Sequence, residues 1–303
     1  MHLVGKRSMS SPASRLVRDD VALGAASESA SAERPDQAPA VNTRPAQKTT
    51  QPGPQTPLQL SPSAVIDLLP EAPRLWTEMI LDAEDGRFTP PLIEEHDFGI
   101  LRNCGDLYVS QQLTPGEELC VSPVRGRILE LGAGFGRVSD YLRQRGQSVV
   151  TTDADPEIVA MYQSRGWTDS CEIALPNFPQ GLGKFDAVIA LRGVLSLSGE
   201  IDAVYQSLAR IRDLLNPGGR LIFSSSRVSS LLSFPGRSPL EYRVRFIYRS
   251  HRSLWLSCTA VPEWLAIPFL RGLGFVNLQI VDPATTDGAG YFVMAQLNDR
   301  ARD

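Results

Sequence analysis

From residue 127 onward the chain alternates short apolar runs with amphipathic stretches. RILEL (127–131), SVVTTD (148–153), FDAVIAL (185–191) and GRLIFSSS (219–226) are the apolar runs, and each predicts a largely buried strand. Between them, GRVSDYLRQRG predicts a helix that ends at Gly146, with arginines in the last turn where the helix dipole favours cations. DPEIVAMYQSRG predicts another, with Asp155 as N-cap, Pro156 at the first helical position and Gly166 past the end. EIDAVYQSLARIRDLLNPGG puts Ile201, Val204, Leu208, Ile211 and Leu215 on one helical face. VPEWLAIPFLRGLGFVNLQIVD reads as a helix shortened by Pro268, a glycine turn and a strand, and GYFVMAQL closes the pattern as a last strand. Strands alternating with helices predict an α/β fold, a doubly wound parallel sheet with helices on both faces.

The pattern is different on either side of this region. Residues 1–60 carry few large apolar side chains and are expected to be a disordered tail, unable to bury enough surface to offset their ordering entropy. Residues 61–125 read as a helical lead-in or lid. After breaks at Pro70 and Pro73, Leu75, Trp76, Met79 and Ile80 recur at helical spacing, and EEHDFGILRNCGDLYVSQQL predicts one or two further short helices. The main domain is expected at 126–303, with a hairpin insertion at 238–261 after the fifth strand. There Tyr242, Val244, Phe246 and Tyr248 alternate with Arg243, Arg245, Ile247 and Arg249 before a turn near Ser250–Arg252. Such alternation places aromatics on one face and guanidinium groups on the other.

Composition changes this picture little. With 42% hydrophobic and 21% charged residues over 303 positions, the chain is an ordinary globular protein. A net charge of −4 gives no global case for nucleic acid or membrane binding. No run approaches the ~20 apolar residues of a membrane span, so a cytoplasmic location is expected. The basic opening MHLVGKRSMSSPASRLVR, free of acids until Asp19, keeps an organellar transit peptide as the second reading. Four scattered cysteines and three histidines offer no zinc-ligand spacing, so no metal is expected.

The chemistry concentrates in ILELGAGFGRVSD. Gly132, Gly134 and Gly136 sit between a strand and a helix, where glycine permits positive φ and close approach of a ligand to the backbone, in front of a helix N-terminus. A tight turn alone would also use glycines. Asp153, ending the next strand about 20 residues on, stands where a carboxylate can accept hydrogen bonds from both ribose hydroxyls. E-L-G-A-G-F-G, T-D-A-D-P-E-I, F-D-A-V-I-A-L-R-G-V-L and L-N-P-G-G-R-L-I-F, in this order, resemble the motifs of the class I S-adenosylmethionine-dependent methyltransferases, strongly over 125–225 and loosely over 226–297.

That resemblance implies a seven-stranded Rossmann-like sheet with the last strand antiparallel, and S-adenosyl-L-methionine as cofactor. It implies a cofactor site made by Glu130, Gly132, Ala133, Gly134, Gly136, Asp153, Ala154, Glu172 and Leu191, with Glu130 holding the loop and Asp153 binding the ribose. LRGVLSLSG would line the reaction centre, which makes Arg192 and Ser196 catalytic candidates, and His96 is a third because histidine titrates near neutrality. Arg243 and Arg245, with His251 at the hairpin tip, are candidates for binding an anionic acceptor through the bidentate guanidinium fork. Hairpins of this kind also build dimer interfaces, so a homodimer is an expectation.

The expected function is methyl transfer to a small-molecule acceptor by in-line displacement at an oxygen, nitrogen or carbon atom. Two alternatives stay open: a methyltransferase-like binding protein without turnover, and an enzyme acting on RNA or protein. A nicotinamide oxidoreductase would share the ribose acid but should show G-x-G-x-x-G, which this loop lacks.

Overall fold

A computed structural model describes residues 72–226, 240–282 and 290–299. The expected tail at 1–60 and the start of the lead-in lie outside them. The first helix, α1 (Ala72–Glu84), buries Leu75, Met79 and Ile80, the face its periodicity predicts. Next come β1 (Leu92–His96), β2 (Leu101–Asn103), α2 (Gly105–Val109) and α3 (Pro115–Val121). The alternating region follows as β3 (Arg127–Glu130), α4 (Arg137–Gln144), β4 (Ser148–Asp153), α5 (Pro156–Ser164), β5 (Ser170–Glu172) and β6 (Phe185–Ala190). A 3₁₀ turn (Val194–Ser198) leads to α6 (Ile201–Leu214) and β7 (Leu215–Ser226). The chain then forms β8 (Glu241–Tyr248), β9 (His251–Arg252) and β10 (Leu256–Thr259), and closes with α7 (Glu263–Gly272), β11 (Phe275–Val281) and β12 (Gly290–Leu297).

Seven strands make one sheet in the order β5-β4-β3-β6-β7-β12-β11. The pairs among β3 to β7 are parallel, and β12 runs antiparallel to both β7 and β11. This is the sheet expected from the sequence, with the last strand reversed. Successive strand residues feed opposite cores, as a period of two requires. Leu129, Val188, Phe223 and Val293 pack with Val204, Leu208 and Ile211 of α6 and with Ala266 and Leu270 of α7. Ile128, Ile189, Ile222 and Phe292 pack with Val138 and Leu142 of α4 and with Val121 of α3.

The lead-in departs from expectation. One or two short helices were expected in EEHDFGILRNCGDLYVSQQL; GDLYV does form α2, but EEH and LRN belong to β1 and β2, and both strands join the hairpin in a second, antiparallel sheet of order β10-β8-β1-β2, with β9 on β8. The reason is tertiary. β8 offers a long edge, and β1 pairs with it from Leu92–Tyr248 to His96–Val244. That register sets Leu92, Glu94 and His96 on one face with Tyr242, Val244, Phe246 and Tyr248, all four of which are buried. On the other face Arg245 stands opposite Glu95 in register and pairs with it at 2.7 Å. Arg243 pairs with Asp97 at 3.1 Å, and both Arg243 and Arg245 lie over the Trp255 ring. The aromatic and guanidinium faces are therefore as the alternation predicts.

One buried carboxylate fastens this sheet to α1. Asp82 accepts a 2.9 Å hydrogen bond from the fully buried Tyr248 hydroxyl and pairs with Arg249 at 2.6 Å. Asp82→Ala strands both donors and should cost about 2–4 kcal/mol, whereas Tyr248→Phe leaves the ion pair and should cost about 1–2 kcal/mol. Urea unfolding of the two variants beside wild type measures both.

Candidate functional site

The turn after β3 is built for close packing. Gly132 has φ +58°, and a Cβ there would stand 2.6 Å from a Val194 methyl, so a side chain meets both a strained backbone and a clash. Gly134, at φ +57°, donates its N–H to Oδ2 of Asp153 at 3.0 Å and accepts the Tyr162 hydroxyl at 2.7 Å. The Ala133 N–H reaches the Thr152 carbonyl at 2.8 Å. Above the turn lies Trp76 of α1, whose ring edge is 3.5 Å from where a Gly134 Cβ would be. The roof is tied down by the Thr77 hydroxyl, which donates to Oδ2 of Asp155 at 2.5 Å, and by an Arg74–Glu157 pair at 2.7 Å.

Asp153 is nine-tenths buried at the end of β4. Burial pushes its carboxyl up, and backbone N–H groups of Gly134, Asp155 and Ala154 pull it back. Its two oxygens offer about four acceptor sites, so the group can still accept from a ligand. Glu172 stands beside it in the β4–β5 register with an exposed side chain, and Ala154 is exposed on the same rim. Ala133 is half-buried, Leu191 is buried, and Gly136 opens α4 against Trp167. Glu130 points away from this rim: it is buried, accepts the Ser139 hydroxyl of α4 and braces the turn from below.

A cleft of about 770 Å³ opens between the strand ends of the large sheet and the aromatic face of the small one. Its walls include Glu94, Tyr108, Arg137, Arg192, Tyr242 and Phe246, with the ends of β7 and β12 as floor. Arg137 and Arg192 converge on Oε1 of the buried Glu117, with Arg192 Nε at 2.8 Å. The other oxygen of Glu117 accepts the Thr114 N–H at 2.9 Å, closing the capping box of α3. Two guanidinium groups on one carboxylate leave the cluster cationic, and burial with the Arg192 charge lowers the Arg137 pKa. Arg192 has φ +58°, uncommon for a non-glycine residue, and its buried Nη2 has no hydrogen-bond partner. A strained residue with an orphaned donor in a cleft wall is what an anion subsite presents.

The candidate acceptor residues are placed less evenly. Arg192 lines the cleft, but Ser196 is buried in the 3₁₀ turn and is not among the wall residues. His96 is also buried off the wall: its Nε2 lies 2.6 Å from Oε1 of Glu94, and its ring stacks on Tyr242 at 5.8 Å. It backs a cleft residue and does not face the cleft itself. Arg243 and Arg245 project from the opposite face of the small sheet onto Asp97 and Glu95, so neither is presented to an acceptor in this cleft. His251 is exposed at the β8–β9 turn, away from the wall.

Glu94, Glu117, Tyr108 and Arg137 escaped the sequence reading. Thr114-Pro-Gly-Glu117 is a capping-box signature and was there to be read. So was the alternation Leu92-Glu94-His96, which marks Glu94 once the segment is taken as a strand.

Residues 129–221 match the methyltransferase-domain family. Over 128 residues the chain is 29% identical to the ribosomal RNA small subunit methyltransferase C of Pasteurella multocida (strain Pm70), with 38% of this chain and 38% of that protein covered. The chain thus spans well under half the length of that curated relative. A S-adenosylmethionine-dependent methyltransferase from Bacteroides fragilis, solved with S-adenosyl-L-homocysteine, shares the fold at a TM-score of 0.63 and 19% identity, over 76% of this chain and 98% of that one. The CcbJ methyltransferase from Streptomyces caelestis does so at 0.51 and 12%, over 64% and 96%. At these identities the two likenesses are of fold.

The buried turn carries a pH signature. Burial raises the Glu130 carboxyl from 4.5 to about 7 against its hydrogen bond from Ser139. A folded-state pKa above the unfolded one contributes stability that is full below the unfolded value and is lost as pH rises through the folded value. The loss between about pH 4.5 and 7 is of the order of 3 kcal/mol. Glu130→Gln keeps an acceptor for Ser139 and removes the titration. Thermal unfolding from about pH 4 to 8 should show wild type losing stability relative to this variant between about pH 4.5 and 7 and holding a constant gap above it.

Proposed function

We propose, from the premise that residues 129–221 form a methyltransferase domain on the class I S-adenosylmethionine-dependent fold, that this chain transfers a methyl group to a small molecule held in the cleft between its two sheets. The observation that carries the reading is the cleft itself. It is roofed by a sheet that the chain builds from its own lead-in and hairpin, and it is walled by aromatic and charged side chains. Pockets of several hundred Å³ lined this way suit small ligands.

The residues present fit the cofactor. Asp153 would take the ribose hydroxyls with its spare lone pairs. The Gly132–Gly134 turn leaves backbone without side chains for close approach. The orphaned Nη2 of Arg192, beside Arg137, would receive the methionine carboxylate. S-adenosylmethionine supplies an electrophilic methyl group already activated on its sulfonium. The chain's own work is then to align the acceptor atom, exclude water and place charge. Trp76, touching the turn, makes α1 the lid that yields on entry.

A nucleic-acid acceptor is the second reading, supported by the ribosomal RNA relative. Against it stands the charge of the hairpin's outer face. Arg243 pairs with Asp97, Arg245 and Arg252 share Glu95, and Arg249 turns to Asp82 of α1, so the stripe is partly neutralised and less suited to a phosphate backbone.

Incubation with methyl-labelled S-adenosylmethionine and a cell extract separated into small-molecule, RNA and protein fractions tests the proposal. Label is expected in the small-molecule fraction. Label confined to RNA or protein would overturn it in favour of the macromolecular reading.

A further inference from the structure

Two buried carboxylates line the cleft in different charge settings. That of Glu117 is consumed by Arg137 and Arg192. Glu94 stands on the cleft-facing side of the small sheet, between its register partners Phe246 of β8 and Arg102 of β2, which also lines the cleft. Its side chain is only 15% exposed, with His96 Nε2 at 2.6 Å from Oε1 and the Tyr108 hydroxyl at 3.3 Å from Oε2. Arg102 adds attraction at longer range. Burial pushes the Glu94 carboxyl up, but the His96 contact, with Arg102 and Tyr108, outweighs it and holds the group below its ordinary value. The rings of Tyr108, Tyr242 and Phe246 line the same part of the cleft.

We propose that Glu94 and these three rings form the acceptor subsite, and that the acceptor is an amine bound as its ammonium ion. The proposal rests on the cleft being the acceptor site of a methyltransferase. An ionised carboxylate among aromatic faces attracts a cation twice, through a charge-assisted hydrogen bond and through the ring quadrupoles. A neutral hydroxyl would draw on only the first. The chemistry balances without a further reagent. The ammonium loses one proton to solvent water, which frees the nitrogen lone pair, while Glu94 stays ionised and orients the amine. That pair forms the N–C bond as the methyl C–S bond breaks, the sulfur keeps the electrons of the broken bond, and the methylated nitrogen carries the positive charge. His96 is a positioning residue that holds Glu94 in place from behind.

Sinefungin, the cofactor analogue with a carbon-bound amine where the sulfonium methyl would be, projects an ammonium toward the acceptor subsite whatever the natural acceptor is. Calorimetric titration of the full chain with sinefungin and with S-adenosylhomocysteine therefore reads the subsite directly. Wild type is expected to prefer sinefungin by about tenfold or more. Glu94→Gln should bring the two affinities together with S-adenosylhomocysteine binding unchanged. Glu94→Asp, which keeps the charge, should retain part of the preference, and His96→Gln should reduce it without altering S-adenosylhomocysteine affinity. An undiminished preference in Glu94→Gln would overturn the proposal. So would equal weakening of both ligands, which would assign Glu94 to the methionine ammonium they share. If wild type binds neither ligand, the cofactor reading fails and this proposal falls with it; if it binds S-adenosylhomocysteine without preferring sinefungin, the proposal fails alone.

Discussion

The hydrogen bond from the Gly134 N–H to Oδ2 of Asp153 joins the turn after the first core strand to the end of its neighbour, and the rest of the site is arranged around it. For the N–H to point there, the backbone must take positive φ at Gly132 and Gly134. The space left by the missing side chains is then filled from three directions: by Val194 of the 3₁₀ turn, by Trp76 of α1 and, at Gly136, by Trp167. A side chain at Gly132 would push the 3₁₀ turn outward, and with it Arg192 and Gly193 in the cleft wall. The acid at the strand end, the glycine turn and the guanidinium cluster are thus parts of one packing problem.

The second sheet gives the cleft its roof and its chemistry. Pairing β1 with β8 brings together segments about 150 residues apart, and the register sorts their charges. Glu95 and Asp97 meet arginines on the outer face, in partly buried pairs that offset a basic stripe. Glu94 and His96 are carried inward with the aromatics. The apolar face excludes water, and the carboxylate within it acts at lower dielectric than it would on the surface.

The large sheet was legible because its signals are local. Apolar runs such as FDAVIAL and capped helices such as DPEIVAMYQSRG specify their own elements, and β12 lies antiparallel beside β7 as the family resemblance implied. The small sheet was half legible. The alternation of β8 could be read directly, but LIEEH and LRN are short, charged and strand-forming only when β8 is beside them. The positions of Arg243, Arg245 and His96 follow from that pairing. Without β1 as a strand, Glu95 and Asp97 could not be seen to occupy Arg245 and Arg243, and Glu94 could not be seen in front of His96. Ser196 sits differently: in the 3₁₀ turn after β6 neighbouring side chains point about 120° apart, and Leu197, not Ser196, reaches the cleft.

The proposed cofactor site rests on the glycine turn and Asp153. It is tested most directly by calorimetric titration of S-adenosylhomocysteine into wild type and Asp153→Ala, with circular dichroism to show that both are folded. Saturable binding by wild type, weakened about tenfold or more in the variant, is the result this account predicts. Equal affinity in the two proteins, or no binding by folded wild type, would contradict it and leave the glycines as packing for Val194, Trp76 and Trp167 alone.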